Sequence, residues 1–320
     1  MYHSLLPEQR EAFAKAEQEY EEAKRKYLAE AAKYKFFANK DLLSSPPVHR
    51  AAYSDRTAWA MACMAQLAYY PFEVDEVQLA LFVSKLDSGG FTLVEKFDVQ
   101  GTQAFLAQNE IYAVLAFRGT EKNWRDVQSD IRTYRRKTEG GRVHAGFYGA
   151  YGLVSKLIKD KLPEVEHLPL YITGHSLGGA LATLAAQDLE KSGFKDQIAA
   201  CYTFGSPRVG NAFFDATIKA PIYRIINFVD IVTFVPLLAM GFIHVGDQRY
   251  LDRGFPDQVR RWRPLSQRVY FFLSLFRLLL PAIGSHGIQN YVEKLERIAL
   301  GQNYGLMMAI AQKENEEHKR

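Results

Sequence analysis

Cysteine is almost absent from this chain of 320 residues, which holds only Cys63 and Cys201, each inside an apolar run (AMACMA and IAACYTF). Two cysteines build no disulfide framework, and their flanks mark both as small core hydrophobes. An excess of one charge is also lacking: 40 Lys and Arg face 36 Asp and Glu, a formal net charge of +4. That balance does not announce a nucleic-acid binder, and no recognised nucleic-acid motif accompanies the local basic clusters, so no nucleic-acid partner is expected. The chain has no His-Glu-x-x-His and no paired Cys-x-x-Cys, and its Gly-rich stretch, GHSLGG, lacks the lysine of a P-loop. No metal or organic cofactor is therefore expected. The opening residues, MYHSLLPEQREAF, have no basic segment followed by an apolar one. Their pattern is not that of a Sec signal and points to the cytoplasm or to another export route. No transmembrane helix is expected either.

What the chain does have is apolar content, 48% of residues, enough for one large core with appendages. Residues 1–47 read as a helical extension and linker. Pro7 opens a charged helix to about Asn39, Phe13, Tyr20, Tyr27 and Tyr34 recur on it every seven residues, and Ser44-Ser45-Pro46-Pro47 breaks it. Residues 48–312 read as the main domain and 313–320 as a polar tail. Within the domain, Ser54 to Tyr70 is apolar all round, as a buried helix would be. Strand-like runs start at Phe91 and Glu110, separated by a segment ending in a turn at Gln108-Asn109. Further runs start near Leu168, Ile198 and Ile222, with a helical segment between the first two. Alternating strand and helix predict an α/β fold with a mainly parallel sheet.

The stretch LYITGHSLGGALATLAAQDLE, Leu170 to Glu190, passes from an apolar run through Gly174-His175-Ser176-Leu177-Gly178-Gly179 into strong helix formers. Gly-x-Ser-x-Gly between a strand and a helix is the pattern of a nucleophile elbow, in which a strained turn holds a serine oxygen at the top of the sheet. The adjoining helix N-terminus suits a developing negative charge. A serine needs a base and an acid, which in the chain order of such sites follow it. Asp230, after the run IYRIINFV, is preferred over Asp188, Asp196 and Asp215 because it stands where a strand ends and a loop begins. His286, in the loop Gly284-Ser285-His286-Gly287, is preferred as base over His244, which sits between Ile243 and Val245 on an expected strand, and over His318 in the polar tail. The N–H of Leu177 supplies one oxyanion donor, and Thr120, at the end of the run EIYAVLAF, a second.

These pieces resemble the class 3 lipases, the family of the filamentous-fungal triacylglycerol lipases. The resemblance rests on Phe117-Arg118-Gly119-Thr120 with Asn123-Trp124, Val143-His144-Ala145-Gly146-Phe147, the Gly174–Gly179 turn, Phe204-Gly205-Ser206-Pro207-Arg208-Val209-Gly210-Asn211, and Asn227 to Val232, in the family's order. It implies an α/β-hydrolase fold, carboxyl-ester hydrolysis of lipids, Ser176, Asp230 and His286 as catalytic triad, and Thr120 with Leu177 as oxyanion hole. A phospholipase A1 and a catalytically silent lipid-binding protein are the competing readings.

The chain departs from the fungal pattern after Thr120, where the segment to Val143 is polar and basic rather than an apolar lid. A different block, residues 255–283 with Arg253 just before it, surrounds Trp262 with Arg253, Arg260, Arg261, Arg263 and Arg268 and continues as VYFFLSLFRLLL. That run is too interrupted to span a bilayer and reads as a lid or membrane-interface insertion, or as a core helix with solvated arginines at its base. Arg132, Tyr134, Arg135, Arg136 and Lys137 form a second basic patch, solvated or facing lipid. Lipid ester as substrate and peripheral contact with a lipid surface are the partners expected. Oligomeric state is not legible.

Overall fold

A computed structural model describes residues 52–119, 135–227, 230–236, 238–251, 259–260 and 286–302. The N-terminal helix and linker, the tail 313–320 and, apart from Val259 and Arg260, the block 255–283 lie outside the described residues.

An eight-stranded sheet organises the described chain in the order β1-β2-β3-β6-β7-β8-β9-β10. Its strands are β1 Thr92–Val99, β2 Thr102–Gln108, β3 Ala113–Phe117, β6 Leu170–His175, β7 Ile198–Phe204, β8 Ile222–Asn227, β9 Asp247–Leu251 and β10 Val259–Arg260. From β3 to β9 the strands run parallel, and β3, β6, β7 and β8 are buried along their whole length, as strands covered on both faces must be. β1 and β2 extend one edge as antiparallel hairpins and β10 closes the other. A small hairpin, β4 Arg135–Thr138 with β5 Gly141–His144, stands apart.

Two expectations are corrected here. The segment between the runs at Phe91 and Glu110 is itself a strand, β2. It is entered through a tight turn at Gln100 and Gly101, both at positive φ (48° and 82°), and left through one in which Asn109 Oδ1 accepts from the N–H groups of Ile111 and Tyr112. His244 is not on a strand: only Ile243 makes an isolated bridge, to Gly210, and the strand begins at Asp247.

Neighbouring residues of parallel strands share a face, so register assigns the two layers. Leu115, Ile172, Cys201 and Ile222 lie side by side and pack in one core with α3 (Ala145–Lys161) and α4 (Leu177–Leu189). Across the sheet, Tyr112, Tyr171, Tyr202 and Tyr223 form a file with ring centroids 5.4, 6.4 and 5.1 Å apart in turn, distances that favour aromatic pairs. α1 (Asp55–Leu67) packs on β3, β6 and β7, α2 (Glu76–Ser88) on β1, α5 (Ala212–Thr217) on β5, and α6 (Ile288–Gln302) against α1. Ser54 caps α1, accepting from Thr57 N–H at 3.4 Å. The helix is buried nearly all round, and Cys63 on it, like Cys201 on β7, is a free thiol with no exposure. Among the described residues no helix is long and apolar enough to cross a membrane.

His144 caps α3, its Nδ1 accepting from Phe147 N–H at 3.4 Å while the ring stacks on Phe147. Burial lowers its pKa from 6.5 to about 4. The folded state therefore keeps this imidazole neutral where the unfolded chain protonates it. Its contribution to stability is complete above pH 6.5 and is lost as pH falls toward 4, on the order of 3 kcal/mol. Asn at position 144 retains an acceptor for the cap and does not titrate. In urea titrations at pH 7 and 4.5, His144→Asn is expected to lose less stability between the two pH values than the wild type. An equal loss would remove His144 as the cause.

Candidate active site

The site collects at the carboxyl ends of β6, β7 and β8, where a parallel sheet gathers its loops. β6 ends at His175, and the next residue, Ser176, takes φ 56° and ψ −127° before α4 begins. Outside glycine this is one of only two positive φ values among the described residues, a strained turn of the kind found at functional sites. The turn needs its glycines. A Cβ at Gly174 would stand 2.3 Å from the backbone of Gly178, and one at Gly178 2.3 Å from the carbonyl of Phe117. Ser176 makes no side-chain cap to α4, so its hydroxyl is left to another partner.

That partner is His286, whose Nε2 lies 2.9 Å from Ser176 Oγ, while its Nδ1 lies 2.9 Å from Oδ2 of Asp230. Asp230 is fully buried and every bond to its carboxylate comes from a donor. Oδ1 accepts from Val232 N–H at 3.0 Å, and Oδ2 accepts from His286 and from the Tyr291 hydroxyl at 2.6 Å. Burial, reinforced by the charge of Asp230 and the bond to it, pushes the Tyr291 phenol well up, which keeps it a donor. A carboxylate facing Nδ1 requires the proton on that nitrogen. Nε2 of the neutral ring is then an acceptor for the serine hydroxyl.

The backbone around the imidazole is fixed as well. His175 is buried, with Nε2 2.6 Å from the carbonyl of His286 and Nδ1 2.8 Å from the Tyr69 hydroxyl. A carbonyl only accepts, so His175 carries its proton on Nε2 and receives one from Tyr69. Burial holds its pKa well below the usual histidine value, and the neighbouring His286 adds to that, so the ring stays neutral in this role.

On the acid side two buried arginines hold the loops. Arg208 donates to the carbonyls of Phe234 and Pro236, and Arg224 to those of Ser206, Pro207 and Thr233. Burial and the charge of Arg208 lower Arg224 to about 10, which leaves it cationic at neutral pH. Arg118, at the end of β3, clasps Glu73 and the carbonyls of Ala68 and Tyr70. Gly119 follows, where a Cβ would sit 2.6 Å from the carbonyl of His175. The chain thus leaves β3 pressed against the end of β6.

Ser176, Asp230 and His286 are therefore brought together. Leu177 is the first residue of α4, so its N–H has no intrahelical acceptor. Thr120 lies outside the described residues. His244 stands instead near Arg208, 3.5 Å from its guanidinium. Sequence reasoning did not find His175, Tyr69, Tyr291 or the arginines as parts of the site, although the spacing of Tyr291, one helical turn inside α6, offered a signal.

Gly205 is a further constraint. It adopts φ +55°, and a Cβ there would stand 2.5 Å from Asp230 Oδ2 and 3.0 Å from His286 Nδ1. Gly205→Ala is expected to wedge the acid and the imidazole apart and to lower kcat for an ester dye by about a hundredfold, the scale of a misplacement near 1 Å. Full activity in a folded variant would mean that the pair has slack.

Residues 114–240 match the family described as Lipase (class 3). A lipase of Rhizomucor miehei is 33% identical over 175 residues, covering 51% of this chain and 48% of that protein. The secreted mono- and diacylglycerol lipase A of Penicillium cyclopium is 37% identical over 146 residues, 43% of this chain and 47% of that protein. The chain thus spans about half the length of the curated relatives it matches. A solved structure of lipase II from Rhizopus niveus superposes with a TM-score of 0.51 at 27% identity, covering 61% of this chain and 78% of that one. The shared architecture is the α/β-hydrolase fold.

Proposed function

We propose that this protein, whose residues 114–240 match the family described as Lipase (class 3), is a serine carboxyl-ester hydrolase of lipid esters, with triacylglycerols as its substrate class. The observation that carries the reading is the unbroken file of hydrogen bonds from Asp230 through His286 to Ser176, each 2.9 Å long. Ser176 Oγ attacks the ester carbonyl carbon while its proton passes to His286 Nε2, and Asp230 steadies the imidazolium. The N–H groups of Leu177 and Thr120 receive the negative charge on the former carbonyl oxygen. His286 then gives its proton to the departing alcohol oxygen, leaving an acyl group on Ser176. Water, deprotonated by the same nitrogen, attacks that acyl carbon, and the fatty acid leaves as Ser176 recovers its proton. No step needs a metal or an organic cofactor.

The main domain, 48–312, is in this reading the catalytic unit, and it works in peripheral contact with a lipid surface. The test is a panel of a short soluble ester, a long-chain triglyceride and a phospholipid, together with labelling by an active-site organophosphonate. Labelling at Ser176 and fatty-acid release from the triglyceride are expected. Release from the phospholipid alone would replace the substrate class, and failure of both labelling and hydrolysis would defeat the esterase reading.

A further inference from the structure

We propose that the β4–β5 hairpin, with the turn Leu238–Met240 beside it, is a docking surface for an anionic lipid layer; the proposal rests on the esterase reading and names the form in which that site meets its substrate.

The hairpin is charged in a way that its own stability does not explain. Arg135, Arg136, Lys137 and Arg142 are all exposed, and Glu139 is its one carboxylate. Lys137 stands directly opposite Arg142 in the register. Like charges at such a position destabilise a strand pair. Among the described residues none of the four cations has a carboxylate in salt-bridge range, and Arg136 lies instead over the Tyr148 ring at 4.8 Å. A surface that keeps uncompensated cations opposite one another is complementary to anions supplied from outside.

Apolar side chains flank these cations. Val143 bridges to Gly210 and Gly210 to Ile243, which fastens the hairpin to the segment after Leu238–Met240. A Cβ at Gly241 would lie 3.0 Å from Arg135 Nη1, so that guanidinium borders the turn. Leu238 is 60% exposed and Met240 36%. On the other side, Arg142 N–H donates to Asn211 Oδ1, and two residues on Phe213 is 75% exposed. Cations ringed by exposed apolar tips suit an interface where headgroup phosphates meet acyl chains. A nucleic-acid backbone would engage the cations but would leave Leu238 and Met240 in water. The turn Leu238–Met240 follows Asp230 in the chain, whereas the hairpin's own turn lies beside Gln187 and Lys191, at the end of α4 remote from Ser176.

The experiment uses the full chain carrying Ser176→Ala, so that vesicles stay intact, in flotation at low salt with phosphatidylcholine vesicles and with phosphatidylcholine containing about a third phosphatidylglycerol. Binding to the anionic vesicles is expected to exceed binding to the neutral ones at least tenfold. Arg135→Glu, Arg136→Glu and Lys137→Glu together should lower it about a hundredfold, each cation near such a surface contributing roughly a factor of five. With Ser176 intact, the same triple variant should hydrolyse a soluble short ester as the wild type does. Should it misfold, Lys137→Gln with Arg142→Gln removes two exposed charges without adding repulsion and should cost about thirtyfold. Equal binding to both vesicle types, unchanged binding by the folded charge variants, or binding of a short RNA in place of vesicles would each overturn the proposal. Vesicle binding without soluble-ester turnover would strike the esterase reading and leave the docking surface standing.

Discussion

Ser176→Ala is expected to lower kcat for a soluble ester by about 10⁶-fold while the protein stays folded. The substitution removes one atom, Oγ, whose hydrogen bond in the structure is to His286 Nε2. It leaves the cap of α4 untouched, because the serine side chain makes no bond there. A Cβ is present before and after, so the strain of a positive φ, about 1–3 kcal/mol, stays as it was. Thermal stability should therefore change little, and the lost rate reports the nucleophile alone. Glycine separates the two effects further: Ser176→Gly should be equally inactive yet more stable, because it relaxes the backbone. Adding a His286 substitution to Ser176→Ala should cost little more, since a base without its nucleophile does nothing. An active Ser176→Ala variant would move the nucleophile elsewhere and end the proposed mechanism.

The elbow was legible in the sequence because every feature of it is local. An apolar run, two glycines at fixed offsets and an alanine-rich helix follow one another within twenty residues, and each meets a steric demand seen in the structure, such as the 2.3 Å approach at Gly174. Asp230 was legible from its place just past β8. His286 differs from His244 and His318 in sequence by its Gly-Ser-His-Gly loop, a local cue that says nothing of the side chains it meets. What stayed hidden depends on tertiary contact. β2, TQAFLAQ, has four buried residues in a row and no clean alternation, so it passed for a connection. Arg208 and Arg224 look like surface residues in sequence, yet both are buried because several loop carbonyls need donors at that place. The bond of His175 to the backbone of His286 joins residues 111 apart, and nothing near either one announces it.

Asp230→Asn should also be severe, lowering kcat by about 10⁴-fold, and the reason lies in the count of donors. Val232 N–H, His286 Nδ1–H and the Tyr291 hydroxyl all point at this carboxylate, which accepts every one. An amide of the same shape has one accepting oxygen and one NH₂. If the oxygen faces Val232, the NH₂ faces His286 and Tyr291, and the imidazole must move its proton to Nε2 to accept. The ring would then offer a proton to Ser176 instead of taking one. If the oxygen faces His286, the NH₂ opposes Val232 N–H in a fully buried place, an arrangement that costs about 1–3 kcal/mol. Activity and stability are thus coupled at this residue, unlike at Ser176. Nitrogen NMR of the imidazole reads the choice directly, as a shift of the proton from Nδ1 to Nε2. Tyr291→Phe, which removes a donor and leaves the carboxylate whole, should keep the tautomer and lose far less rate. A variant with Asn at 230 that keeps wild-type kcat would show that the carboxylate does not govern the base.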